Sequence, residues 1–319
     1  GMQTTIGTQE HLKNPSITNI KNYFKRYYCP NNVAICMSGD FDPDKVIATI
    51  DKYFGGWKAN PNLSRPEYAP VPTLTAPTDT TVIGQEAENV MLGWKFDRAA
   101  SLQQDTLNVI AEMLSNGKAG LFDLNLDQKM QYLGGAAFVY PLAEYSSFIV
   151  EGLPKEGQTL EQVRDLMLGE IEKLKRGEFS DDLLPSVINN MKLDAYKEME
   201  DNDSRASKFV DAFINGQEWS DVVGRLDRIS HITKQQIIDF ANRHLLNNYV
   251  AVYKRQGVDS TVKKIDKPQI TPIPSNRDKQ SAYVAEIANA KAEPIQPVFV
   301  DFKRDITFGK TKKGLPVQY

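Results

Sequence analysis

The sequence predicts an α+β fold in which an antiparallel sheet carries helices on one face. Predicted strands occur in adjacent pairs instead of alternating singly with helices, which favours antiparallel pairing. A helix–turn–strand segment also occurs twice, at 17–42 and 232–259. The two copies start 215 residues apart, which is too long for a solenoid repeat and is typical of a duplicated domain.

Each copy of the repeated segment has the same predicted organisation. Apolar residues at a spacing near 3.6 indicate a helix with one buried face. An Asn-Asn turn follows, where asparagine tolerates left-handed backbone. A buried strand then covers 33–37 in the first copy and 249–253 in the second. The apolar helix face of the first copy consists of Ile17, Ile20, Phe24, Tyr27 and Tyr28.

Composition excludes several classes of function. The chain has 319 residues, of which 41% are hydrophobic and 25% charged, with a net charge of −3. This acidic balance argues against nucleic acid as a partner. No apolar run approaches the length of about 18 residues that a membrane-spanning helix needs, so no span is expected. The two cysteines, Cys29 and Cys36, are interpreted as packed thiols, and they leave the compartment open.

Proline-rich stretches divide the chain into five predicted segments. Residues 1–58 form the helix–strand–helix tail of a first α/β domain, and 59–79 form a linker. Residues 80–257 form a second α/β domain. A second linker covers 258–297, with a short helix within 281–292 and prolines that include Pro272 and Pro274, and 298–319 start a third domain. We therefore expect the chain to be a piece of a longer protein.

The last helix of the first segment has clear boundary signals. Asp42 is placed to cap it, and Pro43 occupies the first helical position, where proline is tolerated. Gly55 and Gly56 end the helix. Its predicted buried face consists of Val46, Ile47, Ile50, Tyr53 and Phe54.

The second segment has a mixed pattern of strands and helices. Predicted strands cover 80–84 and 90–96, and a hairpin follows at 136–140 and 147–153. Ser180 is the predicted cap of a helix that contains Pro185 in its first turn. Predicted helices cover 107–114, 121–129, 160–174, 184–195, 205–214 and 220–229. Predicted strands at 299–302, 306–308 and 315–319 open the third domain.

The candidates for metal chemistry are few. His11, His231 and His244 have no second histidine or glutamate at helical ligand spacing, and neither HExxH nor HxxEH is present. No CxxC pair exists, whereas a zinc site needs three or four converging ligands. We therefore predict neither catalytic nor metal-binding residues in this chain, and the residues that contact substrate stay undetermined.

Three further features have a competing structural interpretation. The glycines and lysine of 117–120 suggest a phosphate loop, but the full pattern is missing and a turn between helices is favoured. The acidic stretch 198–203 suggests a cation site, but a solvated helix end is favoured because the EF-hand spacing is absent. Arg225 and Arg228 could meet a carboxylate, although solvated charges at a helix end are the favoured interpretation.

The segment 27–57, YYCPNNVAICMSGDFDPDKVIATIDKYFGGW, resembles the end of one domain in insulinase/pitrilysin-type zinc metallopeptidases. The helix followed by Leu121-Phe122, the hairpin at 147–149 and the helix 160–174 resemble the second domain of that family. The resemblance covers about 16–257 and depends on the order, spacing and duplication of these motifs.

This resemblance implies a non-catalytic role for the chain. Family members pair such domains, and two pairs enclose a chamber around unfolded peptides, with zinc held by an inverted HxxEH motif in the first domain. The chain begins after the place where that motif would lie. The resemblance therefore implies a chamber-wall and peptide-contact domain that binds no zinc itself, within a zinc-dependent parent peptidase. Implied partners are peptides or unfolded polypeptides, and other domains or a homologous subunit.

Two questions stay open at this point. The parent could instead be a zinc-free homologue that acts as a scaffold or partner subunit. The family resemblance favours the bacterial cell envelope or periplasm as the location, although the residues themselves do not indicate a compartment.

Overall fold

The computed structural model describes most of the chain, namely residues 7–261, 265–266, 268–269 and 275–318. Residues 1–6 of the predicted first segment lie outside that part. Pro272 and Pro274 of the second predicted linker, and Tyr319 of the last predicted strand, also lie outside it. The chain divides into two units, 1–267 and 268–319.

The regular elements alternate between short groups of strands and helices. The helices are α1 (Gln9–Lys13), α2 (Ile17–Tyr27), α3 (Pro43–Phe54), α4 (Gln103–Leu114), α5 (Leu160–Arg176), α6 (Leu183–Glu198), α7 (Asn202–Asn215), α8 (Trp219–Ser230), α9 (Lys234–His244) and α10 (Ala282–Asn289). The strands are β1 (Thr78–Gly84), β2 (Asn89–Phe96), β3 (Gly134–Pro141), β4 (Ser146–Leu153), β5 (Val250–Gln256), β6 (Phe308–Lys310) and β7 (Pro316–Gln318). No helix in the described ranges is both long and apolar enough to cross a membrane.

Five strands of the first unit form one sheet in the order β1-β5-β2-β4-β3. The pairs β5–β2, β2–β4 and β4–β3 are antiparallel, whereas β1 runs parallel to β5. The predicted hairpin is confirmed as β3 and β4, with Phe138 opposite Ile149. The predicted α+β class with an antiparallel sheet is therefore confirmed, with one parallel pair added at the edge where β5 inserts between β1 and β2.

The core lies between the sheet and the helices on one of its faces. Alternate residues of β2 point into it, and Leu92 and Trp94 are almost fully buried. The indole Nε1 of Trp94 donates a hydrogen bond to the carbonyl oxygen of Leu246 at 2.8 Å, so its polar atom is satisfied. The remaining core includes Leu107, Ile110, Phe148, Val150, Val163, Met167, Ile171, Ile237 and Tyr253.

The first copy of the repeated segment differs from the prediction. Residues 33–37 form no strand, because no described strand pairs with them. Their side chains are also uncovered, with Val33, Ile35 and Met37 exposed by 40%, 50% and 46%. The turn before them is a short 3₁₀ helix, Pro30–Asn32, without left-handed asparagine.

The helices around this segment keep their predicted ends but not their predicted burial. Asp42 caps α3 through Oδ1, which accepts hydrogen bonds from two backbone amides, as predicted. The predicted buried face of α3 is wrong, because Ile47 and Tyr53 are 62% and 71% exposed. The apolar face of α2 is equally open, with Ile20 and Phe24 both more than half exposed.

Two local predictions in the second segment need correction. Ser180 does not cap α6, since its Oγ accepts a hydrogen bond from Asp182 N in the turn before the helix. The predicted helix over 121–129 is shorter: residues 121–122 are helical, a π-helical segment follows at Asp123–Asp127, and residues 128–130 form a turn. Met130 in this turn has a φ of 51°, which is incompatible with continuation as a right-handed helix.

The second unit contains α10 and a two-stranded hairpin of β6 and β7. Ser281 caps α10, so the predicted short helix is confirmed. The predicted strand at 299–302 is wrong, because Asp301 Oδ1 instead accepts hydrogen bonds from the amides of Lys303 and Arg304 in a turn. The predicted strand at 306–308 is shifted to Phe308–Lys310.

Gly152 of β4 determines how closely α5 approaches the sheet. A Cβ at this position would lie 2.5 Å from Val163 Cγ1 and 3.0 Å from Met167 Sδ. Gly169 of α5 has open space around it, since a Cβ at that position would meet no atom within 4 Å. The same substitution should therefore have opposite effects at the two glycines.

We expect Gly152→Ala to lower the free energy of unfolding by about 1–3 kcal/mol, because the added methyl overpacks the interface between β4 and α5. Gly169→Ala should raise it by about 0.5–1 kcal/mol, because alanine favours the helix. Urea unfolding of both variants measures the two values. A neutral Gly152→Ala would contradict the close approach of α5.

Candidate functional site

The three histidines occupy separate structural settings. His11 completes a capping box with Thr8 at the start of α1. His231 follows α8, and its Nδ1 lies 2.8 Å from the carbonyl oxygen of Asp227. His244 ends α9 and lies against Phe240, at 4.5 Å between ring centroids, where burial and the charge of Arg243 lower its pKa. In the described part of the chain no three His, Cys, Asp or Glu side chains are placed to hold a metal ion.

The loop 117–120 already has an anion of its own. Asp123 is 5% exposed, and its Oδ2 accepts hydrogen bonds from the amides of Asn116, Lys118 and Gly120 at 3.0, 3.1 and 2.8 Å. These are the amides that a phosphate would need. The loop is therefore a turn closed by an internal carboxylate, in agreement with the interpretation favoured from the sequence.

The acidic stretch 198–203 is divided between two helix ends. Glu198 ends α6 and pairs with Lys208 at 2.7 Å. Asp201 caps α7, and its Oδ1 accepts a hydrogen bond from Ser204 N at 2.8 Å. Both carboxylates therefore have helix-end roles.

The interpretation of Arg228 as a solvated charge is wrong. Its Nε donates to Oδ2 of the largely buried Asp105 at 2.6 Å, and one of its terminal nitrogens donates to Asp221 O at 2.8 Å. Arg225 lies farther from the same carboxylate, at 3.7 Å. The pair joins α8 to α4, so the arginine and the aspartate serve packing between helices.

Both cysteines are free thiols. Cys29 is buried, as expected for a packed thiol, and its Sγ lies 3.7 Å from the carbonyl oxygen of Arg26. Cys36 is half-buried within residues 33–37.

The sheet face opposite the helices carries a groove. Alternation along the strands places Met91, Ile149 and Val252 on it, and all three are half-buried. The linker stretch 71–74 lies beside these strands, and Lys95 Nζ donates a hydrogen bond to the carbonyl oxygen of Val71. Together they line a groove of about 620 Å³ that is mainly apolar.

Strand β3 forms one edge of the sheet and is open to pairing. It contains eight residues, GGAAFVYP, and none is charged. Its ladder partner in the described structure is β4 alone, so one row of backbone donors and acceptors faces away from the sheet. Natural edge strands usually carry lysine or another protecting charge. The opposite edge strand, β1, carries Asp79.

The buried ring of Tyr132 packs against β3 at Gly135. A Cβ on Gly135 would lie 2.5 Å from the hydroxyl of Tyr132, so the glycine leaves room for this buried ring. Burial and the neighbouring carboxylates of Asp127 and Asp123 raise the pKa of Tyr132 well above its usual value. The phenol therefore stays neutral under the edge strand.

The sequence pattern predicts β3 as a strand but does not predict that this strand lies at the edge of the sheet. Strand order depends on long-range pairing, here on the insertion of β5 between β1 and β2. The signal that could have found the edge was composition, because 134–141 lacks charge over its whole length.

Comparison with known proteins identifies the family. The family described as "Peptidase M16 inactive domain" matches residues 16–191. The zinc protease PqqE of Helicobacter pylori is 26% identical over 233 residues, which cover 70% of this chain and 50% of that protein. The chain thus spans about half the length of this curated relative.

Solved structures agree in fold. A protease from Helicobacter pylori matches with a TM-score of 0.74 and 21% identity, over 78% of this chain and 62% of that one. The peptidase M16 inactive domain from Pseudomonas fluorescens matches with a TM-score of 0.69 and 14% identity, over 80% and 61%. The resemblance to insulinase/pitrilysin-type peptidases is confirmed, and the chain belongs to the peptidase M16 inactive-domain family.

Proposed function

We propose that this chain is the non-catalytic domain of a zinc-dependent peptidase and that it contacts polypeptide substrates through the edge strand β3. The zinc site would lie outside this chain, in a neighbouring domain of the parent protein. The observation that carries the peptide-contact role is the uncharged, unpaired edge of β3 in a domain of the M16 inactive family.

The arrangement of residues 7–57 supports a neighbouring domain. Helix α2 exposes Ile17, Ile20 and Phe24, and its C-cap residue Tyr28 is also exposed, each by more than 50%. These residues recur on one helix face, and such faces are normally covered in a folded protein. Helix α3 and residues 33–37 expose apolar side chains in the same way. We infer that 1–58 form the tail of a first domain, while 80–257 form the second, with 59–79 and 258–297 as linkers and 298–319 as the start of a third.

An extended polypeptide fits β3 for a backbone reason. Adding a strand to an open edge satisfies main-chain donors and acceptors on both chains without regard to sequence. Alternate side chains of the added strand would lie beside Ala136, Phe138 and Tyr140, which share the outer face of the sheet. This mode suits unfolded polypeptides of varied sequence. In this proposal β3 belongs to the wall of a chamber, and another domain of the parent protein supplies the catalytic chemistry.

The alternative is a zinc-free homologue that acts as a scaffold or partner subunit. The same edge strand would then bind a partner chain instead of a substrate. The zinc content of the parent protein distinguishes the two. Because the similar Helicobacter pylori protein is described as a zinc protease, the peptidase is the function we propose.

We expect the full-length parent to retain about one zinc ion per polypeptide after extensive dialysis, as catalytic zinc sites do, whereas this chain alone retains none. Elemental analysis of both proteins measures this difference. Chelation should abolish cleavage of an unfolded protein such as carboxymethylated α-lactalbumin by the parent. A parent without zinc would support the scaffold alternative and contradict the peptidase.

We expect this chain to bind a dye-labelled peptide of alternating valine and threonine that carries lysine at both ends. Ala136→Lys should weaken binding by about tenfold or more, because an edge lysine opposes strand addition and repels the peptide ends. Thr80→Lys is the matched control, since it places the same charge on the other edge strand, and it should leave binding unchanged. Fluorescence anisotropy measures the affinities.

A second peptide tests the backbone mechanism directly. Methylation of alternate amide nitrogens removes the donors needed for strand addition and keeps the side chains. The methylated peptide should not bind. Equal binding of both peptides, or equal loss in the two lysine variants, would show that β3 is not the contact site.

A further inference from the structure

A polar cavity of about 490 Å³ lies between α4, α7, α8 and the loop 99–102. It shares no lining residue with the groove on the sheet, so it is a separate feature of the domain. Its volume falls within the range of about 300–1,000 Å³ that small-molecule sites usually have. The apolar part of its lining includes Leu102, Ile214 and Val222. The cavity is therefore large enough for a small molecule with an aliphatic part.

Arg225 of α8 brings a positive charge to this cavity. Its side chain is 44% exposed, and its contact with Asp105 Oδ1 is 3.7 Å long, which exceeds hydrogen-bond distance. Asp105 is held instead by Arg228 at 2.6 Å. Within the described ranges the guanidinium of Arg225 forms no hydrogen bond, so its N–H groups are available to a carboxylate.

Hydrogen-bond acceptors in the same cavity also lack partners. Gln104 of α4 is only 8% exposed, and its Nε2 donates to Asp97 O at 2.9 Å. Its Oε1 has no hydrogen-bond partner in the described structure, and an unpaired buried oxygen gains free energy when a donor reaches it. The carboxylates of Asp211 and Asp221 form neither a hydrogen bond nor an ion pair with any described residue. The cavity therefore offers acceptors for a positively charged donor.

The balance of unpaired charge decides between classes of ligand. The other cations of the lining are already engaged, since Arg228 pairs with Asp105 and Lys208 pairs with Glu198 at 2.7 Å. One guanidinium and two carboxylates stay available. A plain anion such as phosphate would meet the two carboxylates, and a metal ion would meet the guanidinium. A zwitterion satisfies both signs of charge, because its two ends are complementary to the two kinds of group.

We propose that this cavity binds a small zwitterion with an α-ammonium and an α-carboxylate group, namely a free amino acid or a dipeptide. Arg225 binds the carboxylate, and Asp211 and Asp221 bind the ammonium. Gln104 Oε1 accepts a hydrogen bond from an N–H of the ligand. The aliphatic residues of the lining contact its side chain, which favours apolar amino acids.

This inference goes beyond the proposed function, in which β3 contacts extended polypeptides. Amino acids and dipeptides are the smallest products of peptide hydrolysis, so the cavity would be a product site in a domain of a peptidase. A ligand that binds the folded domain also stabilises it by mass action, which gives released products a direct effect on the protein. Binding to the cavity does not require zinc in the parent.

Isothermal titration calorimetry of this chain tests the site with four probes. Leucine and leucyl-leucine carry both charged ends, and the one that binds more tightly identifies the length of the natural ligand. N-acetyl-leucyl-leucine lacks the ammonium, and leucyl-leucinamide lacks the carboxylate. Each blocked peptide should bind about tenfold more weakly than leucyl-leucine, or less tightly still, because charge-assisted hydrogen bonds are lost.

Two substitutions assign the two ends of the ligand. Arg225→Gln should weaken the binding of leucyl-leucine by about tenfold or more and leave that of leucyl-leucinamide unchanged. Asp221→Asn should weaken leucyl-leucine in the same way and leave N-acetyl-leucyl-leucine unchanged. Arg243→Gln is the matched control, since Arg243 is exposed on α9 and does not line the cavity, and it should not affect binding. All three variants should keep the thermal midpoint of the unsubstituted chain.

The outcomes that overturn the site are distinct from a failure of the proposed function. Absence of binding for both unblocked probes at millimolar concentration would refute the site, as would unchanged affinity in Arg225→Gln. Loss of leucyl-leucine binding in Ala136→Lys would assign the dipeptide to β3 and refute it as well. A parent without zinc would refute the peptidase and leave dipeptide binding by this chain unaffected.

Discussion

Apolar faces of helices and strands must be covered if an element is to be stable, and this requirement is met in only one part of the described chain. In the second segment, one face of the sheet is buried under helices, and Gly152 lets α5 approach it closely. Within 7–57 the same amphipathic patterns exist, but the side chains of Ile20, Phe24 and Tyr53 are exposed to solvent. In the sequence, the apolar periodicity is equally clear for the covered faces of the second segment and for the uncovered faces of 7–57. The contrast between them is the basis for inferring a neighbouring domain.

This contrast also explains which sequence-based predictions succeed. Several signals that act within a few residues are confirmed, such as the cap at Asp42 and the hairpin of β3 and β4, whereas the predicted cap at Ser180 is wrong. Predictions that need a distant partner fail where the partner is missing or unforeseen. Residues 33–37 have the composition of a strand but no ladder partner in the described structure. Arg228 of α8 forms its ion pair with Asp105 of α4, which lies far away in the sequence. Strand order, and with it the open edge at β3, depends on β5, which lies about 100 residues further along the chain.

The polar groups that first suggest chemistry are engaged in structural roles. Asp123 closes its own loop, Asp201 caps α7, and Asp105 joins α4 to α8. The surfaces that the described structure leaves open are of another kind, namely a backbone edge at β3 and apolar helix sides. Such surfaces recognise extended backbone and complementary shape, which is the kind of recognition that the proposed function requires.

Amide hydrogen exchange at residues 33–37 tests the central claim most directly, because these amides lack ladder partners in the described structure. In this chain they should exchange rapidly, whereas β5, which follows the second copy of the repeated helix, should be protected. In the full-length parent both segments should be protected to a similar degree, because 33–37 would then lie within a sheet. Equally rapid exchange of 33–37 in both proteins would contradict the account, since the segment would have no sheet to complete.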